Sequence, residues 1–142
     1  MAESRLAAEA FLELVQSGVP FARYLHMSVE RMQYGQVAMR MAYHPDTIRP
    51  GGTISGPALM TLADCAMYGV VLSAIGRVEL AVTTNLNINF LHRPAKADVI
   101  AEGRLLKLGR RLAVCEITLH SEAHEEPVAH VTGTYAIPPT RG

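Results

Sequence analysis

The stretch RPGGTISGPALMTLADCAMYG, residues 49–69, holds a single charged residue after its opening arginine. That residue is Asp64, and the next charged residue along the chain is Arg77. Moving a carboxylate out of water without compensating partners costs several kcal/mol. The sequence therefore predicts that Asp64 either has hydrogen-bond partners in the fold or performs chemistry.

The same stretch carries the signals of a helix start. Pro57 suits the first turn of a helix, where its missing N–H is not needed, and Ser55 or Gly56 can serve as the N-cap. The residues that follow are apolar on most of the helical circumference, and Gly76 is a natural stop. A helix that is apolar nearly all round is buried. We therefore predict a long central helix from Pro57 to just before Gly76.

Composition excludes several classes of protein. The chain has 142 residues, enough for one domain with a buried core. Its 13 basic and 13 acidic residues balance, so no overall charge favours nucleic acid as a partner. The two cysteines, Cys65 and Cys115, lie in apolar segments and suggest buried thiols, and the six histidines show no metal-ligand spacing. We therefore expect no metal and no cofactor.

The first residues predict an amphipathic helix that ends near Gly18. Its apolar residues recur at helical spacing: Ala7, Phe11, Leu14 and Val15. Acidic residues interrupt the segment, so it lacks the continuous apolar core of a secretory signal. Residues 56–76 approach the length of a membrane span but hold Asp64 and further polar residues. We expect a cytoplasmic protein that does not enter a membrane.

Strands are predicted on both sides of the central helix. Before it, the pattern favours two short strands around a turn at Tyr34-Gly35. In the second of these, strict alternation places three residues on one face: Val37, Met39 and Met41. After the helix, the segment LAVTTNLNINFLHRP is predicted to form a strand. One face of this strand should carry Val82, Leu86, Ile88 and Phe90. Its other face is predicted to hold Thr83, Asn85, Asn87 and Asn89.

Three more strand candidates follow: DVIAEGRLLKLG, RRLAVCEITLHSE and EPVAHVTGTYAI. Turns at Gly109-Arg110 and around residues 123–126 favour antiparallel hairpins. The predicted order is helix, two strands, long buried helix and four strands. One antiparallel sheet wrapped around the central helix, an α+β arrangement, buries that helix with the fewest elements.

Three stretches of the chain match one family: GGTISGPALMTLADCAMYG, AVTTNLNINFLHRPAKADVIAEGRLLKLGRRLAVCEI and AHVTGTY. Through them the sequence resembles the hotdog-fold acyl-CoA thioesterases, particularly the phenylacetate-pathway (PaaI-like) type. The resemblance covers roughly residues 25–138. It implies a hotdog domain over residues 25–142, with residues 1–24 as an N-terminal helical extension.

The resemblance also implies an assembly and a set of roles. In this family two subunits pair through their sheets, usually as a dimer within a tetramer, and active sites lie between subunits. We therefore expect a homo-oligomer, a dimer or a dimer of dimers, with an acyl-CoA as substrate. In the family a carboxylate on the helix acts as base or nucleophile, and the matching residue here is Asp64. A glycine N–H polarises the thioester carbonyl, and the matching residue here is Gly56. Thr83 of the neighbouring subunit would help to place the water.

Two departures from the family pattern touch the thioester-binding region. Ser55-Gly56-Pro57 stands where the family commonly has His-Gly-Gly, and Arg49 stands where it commonly has an asparagine or a similar polar residue. Both departures leave Asp64 in place and bear on the substrate class.

Thioester hydrolysis needs an activated water or nucleophile, a donor for the oxyanion and a channel for the acyl chain. Since Pro57 has no N–H, the oxyanion donor at the helix start is the amide of Gly56 or Ala58. Apolar side chains expected along the channel include Leu59, Met60 and Met67. Basic residues at strand ends and turns can meet coenzyme A phosphates: Arg93, Lys96, Lys107, Arg110 and Arg111. The predicted substrate-binding set is Arg49, Ser55, Pro57, Met60, Met67, Arg93, Arg110 and Arg111.

Other interpretations stay open at this point. Asp64 could be a structural acid, held by Thr83 or by backbone donors at a subunit interface. An acyl-thioester hydratase or dehydratase on the same fold would want a histidine near the helix start, where Ser55 stands. A non-catalytic acyl-CoA binder would keep the fold without the chemistry. The glycine spacing over residues 51–56 mimics a phosphate-binding loop, but Pro57 stands where that loop requires lysine.

Overall fold

The computed structural model describes residues 2–139. Its helices are α1 (Ala8–Gly18), a short 3₁₀ helix (Pro20–Leu25) and α2 (Gly56–Ile75). Its strands are β1 (Met27–Gln33), β2 (Gln36–Met41), β3 (Val82–Phe90), β4 (Val99–Leu108), β5 (Leu112–Ser121) and β6 (Pro127–Ala136). The predicted order of elements is confirmed, and the short helical turn at residues 20–25 joins the N-terminal helix to the sheet.

The six strands form one antiparallel sheet in the order β1-β2-β4-β5-β6-β3. Helix α2 packs mainly against the middle of this sheet, on β2, β4 and β5. The α+β hotdog architecture expected from the sequence is therefore the one observed. Among residues 2–139, strand β3 pairs only with β6, so the other edge of β3 carries backbone groups that no described strand pairs.

Helix α2 is the core of the molecule. Twelve of its 20 residues are buried, and full burial of a side chain such as Leu62 contributes about 1.5–3 kcal/mol. The Ser55 hydroxyl caps it by accepting a 3.3 Å hydrogen bond from the Ala58 N–H, and the helix ends at Gly76, whose φ is 85°. By length and composition α2 could cross a membrane, yet 67% of its most apolar window is buried inside the fold.

The sheet presents small or apolar residues to α2. Val37, Met39 and Met41 are each at most 1% exposed, which confirms the alternation predicted for β2. On β6 the helix approaches so closely that a Cβ added at Gly133 would collide with the Met67 sulfur. Glycine at position 133 is thus required by helix–sheet contact.

Strand β3 departs from the predicted alternation at its start. A β-bulge between Thr83 and Asn85 shifts the pairing with β6 by one residue. Leu86 and Ile88 pack against the core, whereas Val82 is 57% exposed, so the prediction that Val82 shares their face is wrong. The bulge instead turns Thr83 towards α2.

Helix α1 shares the core of the hotdog domain. Phe11, Leu14 and Val15 are buried, and the Phe11 ring lies 5.8 Å from that of Tyr68 on α2. The amphipathic helix ending at Gly18 is confirmed. The division of the chain at residue 24 stays a prediction.

Candidate active site

Asp64 lies half-buried in the third turn of α2, and its carboxylate has two hydrogen-bond partners. Its Oδ1 accepts a 2.7 Å hydrogen bond from the Thr83 hydroxyl and a 3.4 Å hydrogen bond from the Tyr135 hydroxyl. Over residues 2–139 no donor contacts the other carboxylate oxygen, Oδ2. The carboxylate is therefore held through one oxygen and open at the other.

The sheet places both hydroxyls. Thr83 and Tyr135 are directly opposite each other on the paired strands β3 and β6, at the point where the bulge begins. Asp64 and Thr83 belong to the same chain, so Thr83 is a hydrogen-bond partner of this carboxylate within one subunit. The expectation that Thr83 of a neighbouring subunit places the water stays a prediction. The sequence did not indicate Tyr135 as a partner of Asp64, because the two residues are 71 positions apart and no local pattern connects them.

Two ionisable side chains beside Asp64, those of Tyr135 and Cys65, keep their protons at neutral pH. Tyr135 is 5% exposed; burial, together with the charge of Asp64, raises the pKa of its phenol, which stays a proton donor at neutral pH. Burial and the same carboxylate raise the pKa of the adjacent Cys65 thiol to about 12. Cys65 is therefore a thiol at neutral pH and unsuited to act as the nucleophile.

Two cavities open beside Asp64, with volumes of about 410 and 320 Å³. Asp64, Tyr68 and Tyr135 line both cavities, and Met60 lines the smaller one. The N-terminal segment supplies part of the walls through Leu14, Val15, Gly18, Val19 and Phe21. The amphipathic pattern of α1 accounts for its buried face, but the sequence did not indicate that its end borders Asp64.

The start of α2 offers one open donor. The Ala58 N–H donates to the Ser55 hydroxyl, and Pro57 has no N–H. The Gly56 N–H has no acceptor in the part of the chain described. Of the two amides considered from the sequence, Gly56 is thus the one free to bind an oxyanion. Ser55 acts as the helix cap here.

A separate cavity of about 420 Å³ lies at Gly56. Arg49 and Arg93, both predicted to bind substrate, line it together with Leu59 and Phe90. The Phe90 ring comes close enough to Gly56 that an added Cβ would lie 3.6 Å from it. Two guanidinium groups beside an open N–H make this cavity suited to an anionic, oxygen-rich ligand.

Three predicted residues lie elsewhere. Met67 is fully buried against Gly133 and lines none of the cavities at Asp64 or Gly56, so its predicted place in the acyl channel is wrong. Arg110 and Arg111 line a cavity of about 600 Å³ with Ile75, at the opposite end of α2 from Gly56. Within one chain the structure does not bring these arginines to Gly56 or Asp64, since Ile75 lies about 28 Å along the helix from Gly56 and about 16 Å from Asp64.

Gly56 and Asp64 are themselves too far apart to act on one carbonyl. They are separated by eight residues of helix, which is about 12 Å of rise. A general base must lie within about 3 Å of the proton it takes, or one water away. Within one chain, therefore, the Asp64 carboxylate and the open Gly56 N–H cannot reach the same reacting group.

Comparison with known proteins identifies the fold's relatives. Residues 51–128 match the model of the thioesterase superfamily. A Silicibacter protein, provisionally described as a thioesterase, has a crystal structure that superimposes on this chain with a TM-score of 0.86. The two sequences are 40% identical, and the match covers 96% of this chain and 95% of the Silicibacter chain. The phenylacetic acid degradation protein PaaI from Thermus thermophilus, solved as a mutant, is 25% identical with a TM-score of 0.74, over 84% of this chain and 99% of that one.

A Halobacterium salinarum protein, provisionally named an esterase, is 32% identical over 70% of this chain and 69% of its own length. The family match spans more than half of the chain and includes Gly56, Asp64 and Thr83. The chain therefore belongs to the thioesterase superfamily, as a hotdog thioesterase of the PaaI-like type.

Proposed function

We propose that this thioesterase hydrolyses acyl-CoA thioesters to the free acid and coenzyme A, with Asp64 as its catalytic carboxylate. The observation that carries the proposal is the arrangement at Asp64. Two hydroxyls, of Thr83 and Tyr135, hold Oδ1, while Oδ2 has no donor among the described residues and the side chain borders largely apolar cavities.

Two chemical routes fit this arrangement. Asp64 Oδ2 either takes a proton from a water that attacks the thioester carbon, or attacks that carbon itself. In the first route the C–S bond then breaks and the proton passes to the coenzyme A sulfur. In the second route the coenzyme A thiolate leaves as an anhydride with Asp64 forms, and water then opens the anhydride. A single turnover in oxygen-18 water tests the second route, because label in the Asp64 carboxylate requires an anhydride that water opens at the Asp64 carbon. Label only in the acid product fits the base route or opening at the acyl carbon, and trapping the anhydride with hydroxylamine separates these two.

We also propose that the working site forms between two protomers, as a dimer or a dimer of dimers. The 12 Å rise between Gly56 and Asp64 supports this, because a Gly56 N–H from a second chain can approach the carbonyl that Asp64 faces. The unpaired edge of β3, next to Thr83, offers backbone groups for such pairing.

Subunit mixing tests this arrangement. Asp64→Asn removes the carboxylate, and Gly56→Pro removes the oxyanion donor. If each site uses Gly56 of one chain and Asp64 of another, mixing the two inactive proteins restores activity to roughly a quarter of wild type, because half the dimers then hold one intact site. No recovery after confirmed subunit exchange would contradict the shared site.

For the coenzyme, we propose that Arg49 and Arg93 bind phosphate or pantetheine oxygens in the cavity at Gly56. Arg110 and Arg111 can contribute only from another protomer, given their place at the far end of α2. Arg49→Gln and Arg93→Gln should raise KM for acyl-CoA more than for the same acyl group on a short uncharged thiol.

The first experiment is a thiol-release assay on short, medium, long and aromatic acyl-CoAs. Asp64→Asn should lose at least about 10²-fold in kcat while remaining folded and oligomeric. The matched control is Glu116→Gln. It alters a carboxylate on β5 that pairs with Arg104 of β4, and it should keep wild-type turnover. Substrate binding with no hydrolysis by the wild type would favour a non-catalytic acyl-CoA binder instead.

A further inference from the structure

Two imidazoles and a carboxylate meet where the N-terminal segment joins the loop before α2. His26 Nε2 lies 3.0 Å from Asp46 Oδ2, and His44 Nδ1 lies 3.3 Å from the same oxygen. The two histidine rings stack with centroids 3.8 Å apart. The sequence analysis found no metal-ligand spacing, because His26 precedes His44 by 18 residues and only the fold brings them together.

These distances fit a metal ion. Three potential ligand atoms, one from each residue, lie within 4.8 Å of one another. Tetrahedral Zn²⁺ with bonds of about 2.0–2.1 Å holds neighbouring ligand atoms about 3.3 Å apart, close to the 3.0 and 3.3 Å separations observed. Imidazole nitrogen and carboxylate oxygen are both ordinary zinc ligands, and three protein ligands leave a fourth position for water.

His44 is held in place for this role. Its carbonyl accepts hydrogen bonds from both the N–H and the hydroxyl of Thr47, a residue that is 1% exposed. The Asp46 N–H donates a 3.1 Å hydrogen bond to His44 Nδ1, so the lone pair of that nitrogen is directed towards Asp46. A metal bound at Nδ1 takes over this lone pair, so binding replaces a hydrogen bond already present.

His26 is held by an uncommon backbone conformation. Its φ is 53°, and within residues 2–139 only one other non-glycine residue, Ala123, has a positive φ. Such conformations persist where the surroundings impose them and are often found at functional sites. Here the His26 carbonyl accepts the Ala42 N–H at 3.0 Å, which fixes the turn that brings the ring over His44.

We propose that His26, His44 and Asp46 form a binding site for a divalent transition-metal ion, with Zn²⁺ as the best match. Bound metal would join the end of the 3₁₀ helix to the loop that carries Arg49 and leads to Gly56. Its role is structural, because it would fix the N-terminal segment against the loop that positions the start of α2. The site is independent of the hydrolytic reaction proposed above.

Tag-free protein stripped with a chelator tests the site directly. Titration calorimetry with Zn²⁺ should give one ion per chain, and Co²⁺ should produce visible absorption bands of a low-coordinate nitrogen–oxygen site. His44→Ala and Asp46→Asn should each weaken binding at least about tenfold. His124→Ala removes an exposed histidine outside the cluster and should leave affinity and stoichiometry unchanged.

Thermal unfolding gives a second readout. Zn²⁺ should raise the Tm of the wild type and of His124→Ala but not of Asp46→Asn. Should His44→Ala fail to fold, His26→Asn replaces it, because asparagine tolerates a positive φ and is a poor zinc ligand. The absence of stoichiometric binding, or binding that survives in His26→Asn and Asp46→Asn, would overturn the proposal.

Discussion

The Thr83 hydroxyl donates a 2.7 Å hydrogen bond to Asp64 Oδ1 within a single chain. This contact explains how one carboxylate is tolerated in an otherwise apolar helix, since the bond compensates for part of its lost hydration. It also fixes which oxygen is engaged, so that Oδ2 remains for chemistry. The partners expected of a structural acid and the open oxygen expected of a catalytic one are thus present on the same side chain.

Removing the Thr83 hydroxyl should therefore lower kcat. We expect Thr83→Val to lose roughly 10–100-fold, because Asp64 is then held only by the longer 3.4 Å bond from Tyr135. Thr83→Ser keeps the hydroxyl and should retain most activity. The measurement is kcat and KM for each variant on the best acyl-CoA of the panel, and equal losses in the serine and valine variants would contradict a role for the hydroxyl.

The N-terminal segment should influence acyl selectivity. Phe21 lines the cavity at Asp64 and is 61% exposed in one chain, so an acyl chain can bury it. Phe21→Ala should raise KM by roughly 3–10-fold for longer or aromatic acyl groups and little for acetyl-CoA, because apolar contact is lost only with the larger groups. Tyr24→Ala is the control, because Tyr24 is similarly exposed but borders neither cavity at Asp64.

Stability should fall at alkaline pH because of Cys115. Burial raises the pKa of this thiol from its ordinary 9.0 to about 12 in the folded chain. The unfolded chain then releases a proton above pH 9 that the folded chain retains, so this contribution to stability is complete below pH 9 and is lost as the pH rises towards 12.

Urea unfolding at pH 7 and pH 10 measures the effect. The Cys115 contribution to the free energy of unfolding should drop by roughly 1 kcal/mol between these values. Cys115→Ala is less stable at pH 7 because it leaves a small cavity, but its decline with pH should be shallower. Parallel slopes for the two proteins would contradict the assignment.

Close packing at Gly133 gives a prediction about the core. Gly133→Ala should destabilise the protein by about 1–3 kcal/mol, because the new Cβ would collide with the Met67 sulfur. Met67→Ala alone should also destabilise it by leaving a cavity. The double variant should lose less free energy of unfolding than the sum of the two single losses. A double-mutant cycle by urea unfolding checks this coupling.

Much of the architecture follows from local pattern in the sequence. Helix α2 is predictable because Pro57 and Gly76 mark its ends and the residues between are almost all apolar. Asp64 is visible as a candidate because it is the lone charge in that run. Alternation gives the buried face of β2, since side chains of a strand point to opposite faces at every step.

Only the tertiary structure decided how these elements combine into a site. The bulge after Thr83 turns that residue to Asp64 in its own chain, and pairing of β3 with β6 brings Tyr135 to the same carboxylate. The capping contact from Ser55 leaves Gly56 as the open amide. Strand register, bulges and caps depend on hydrogen bonds between distant segments, so periodicity along the chain determines which residues are buried, while their pairing determines which of them meet.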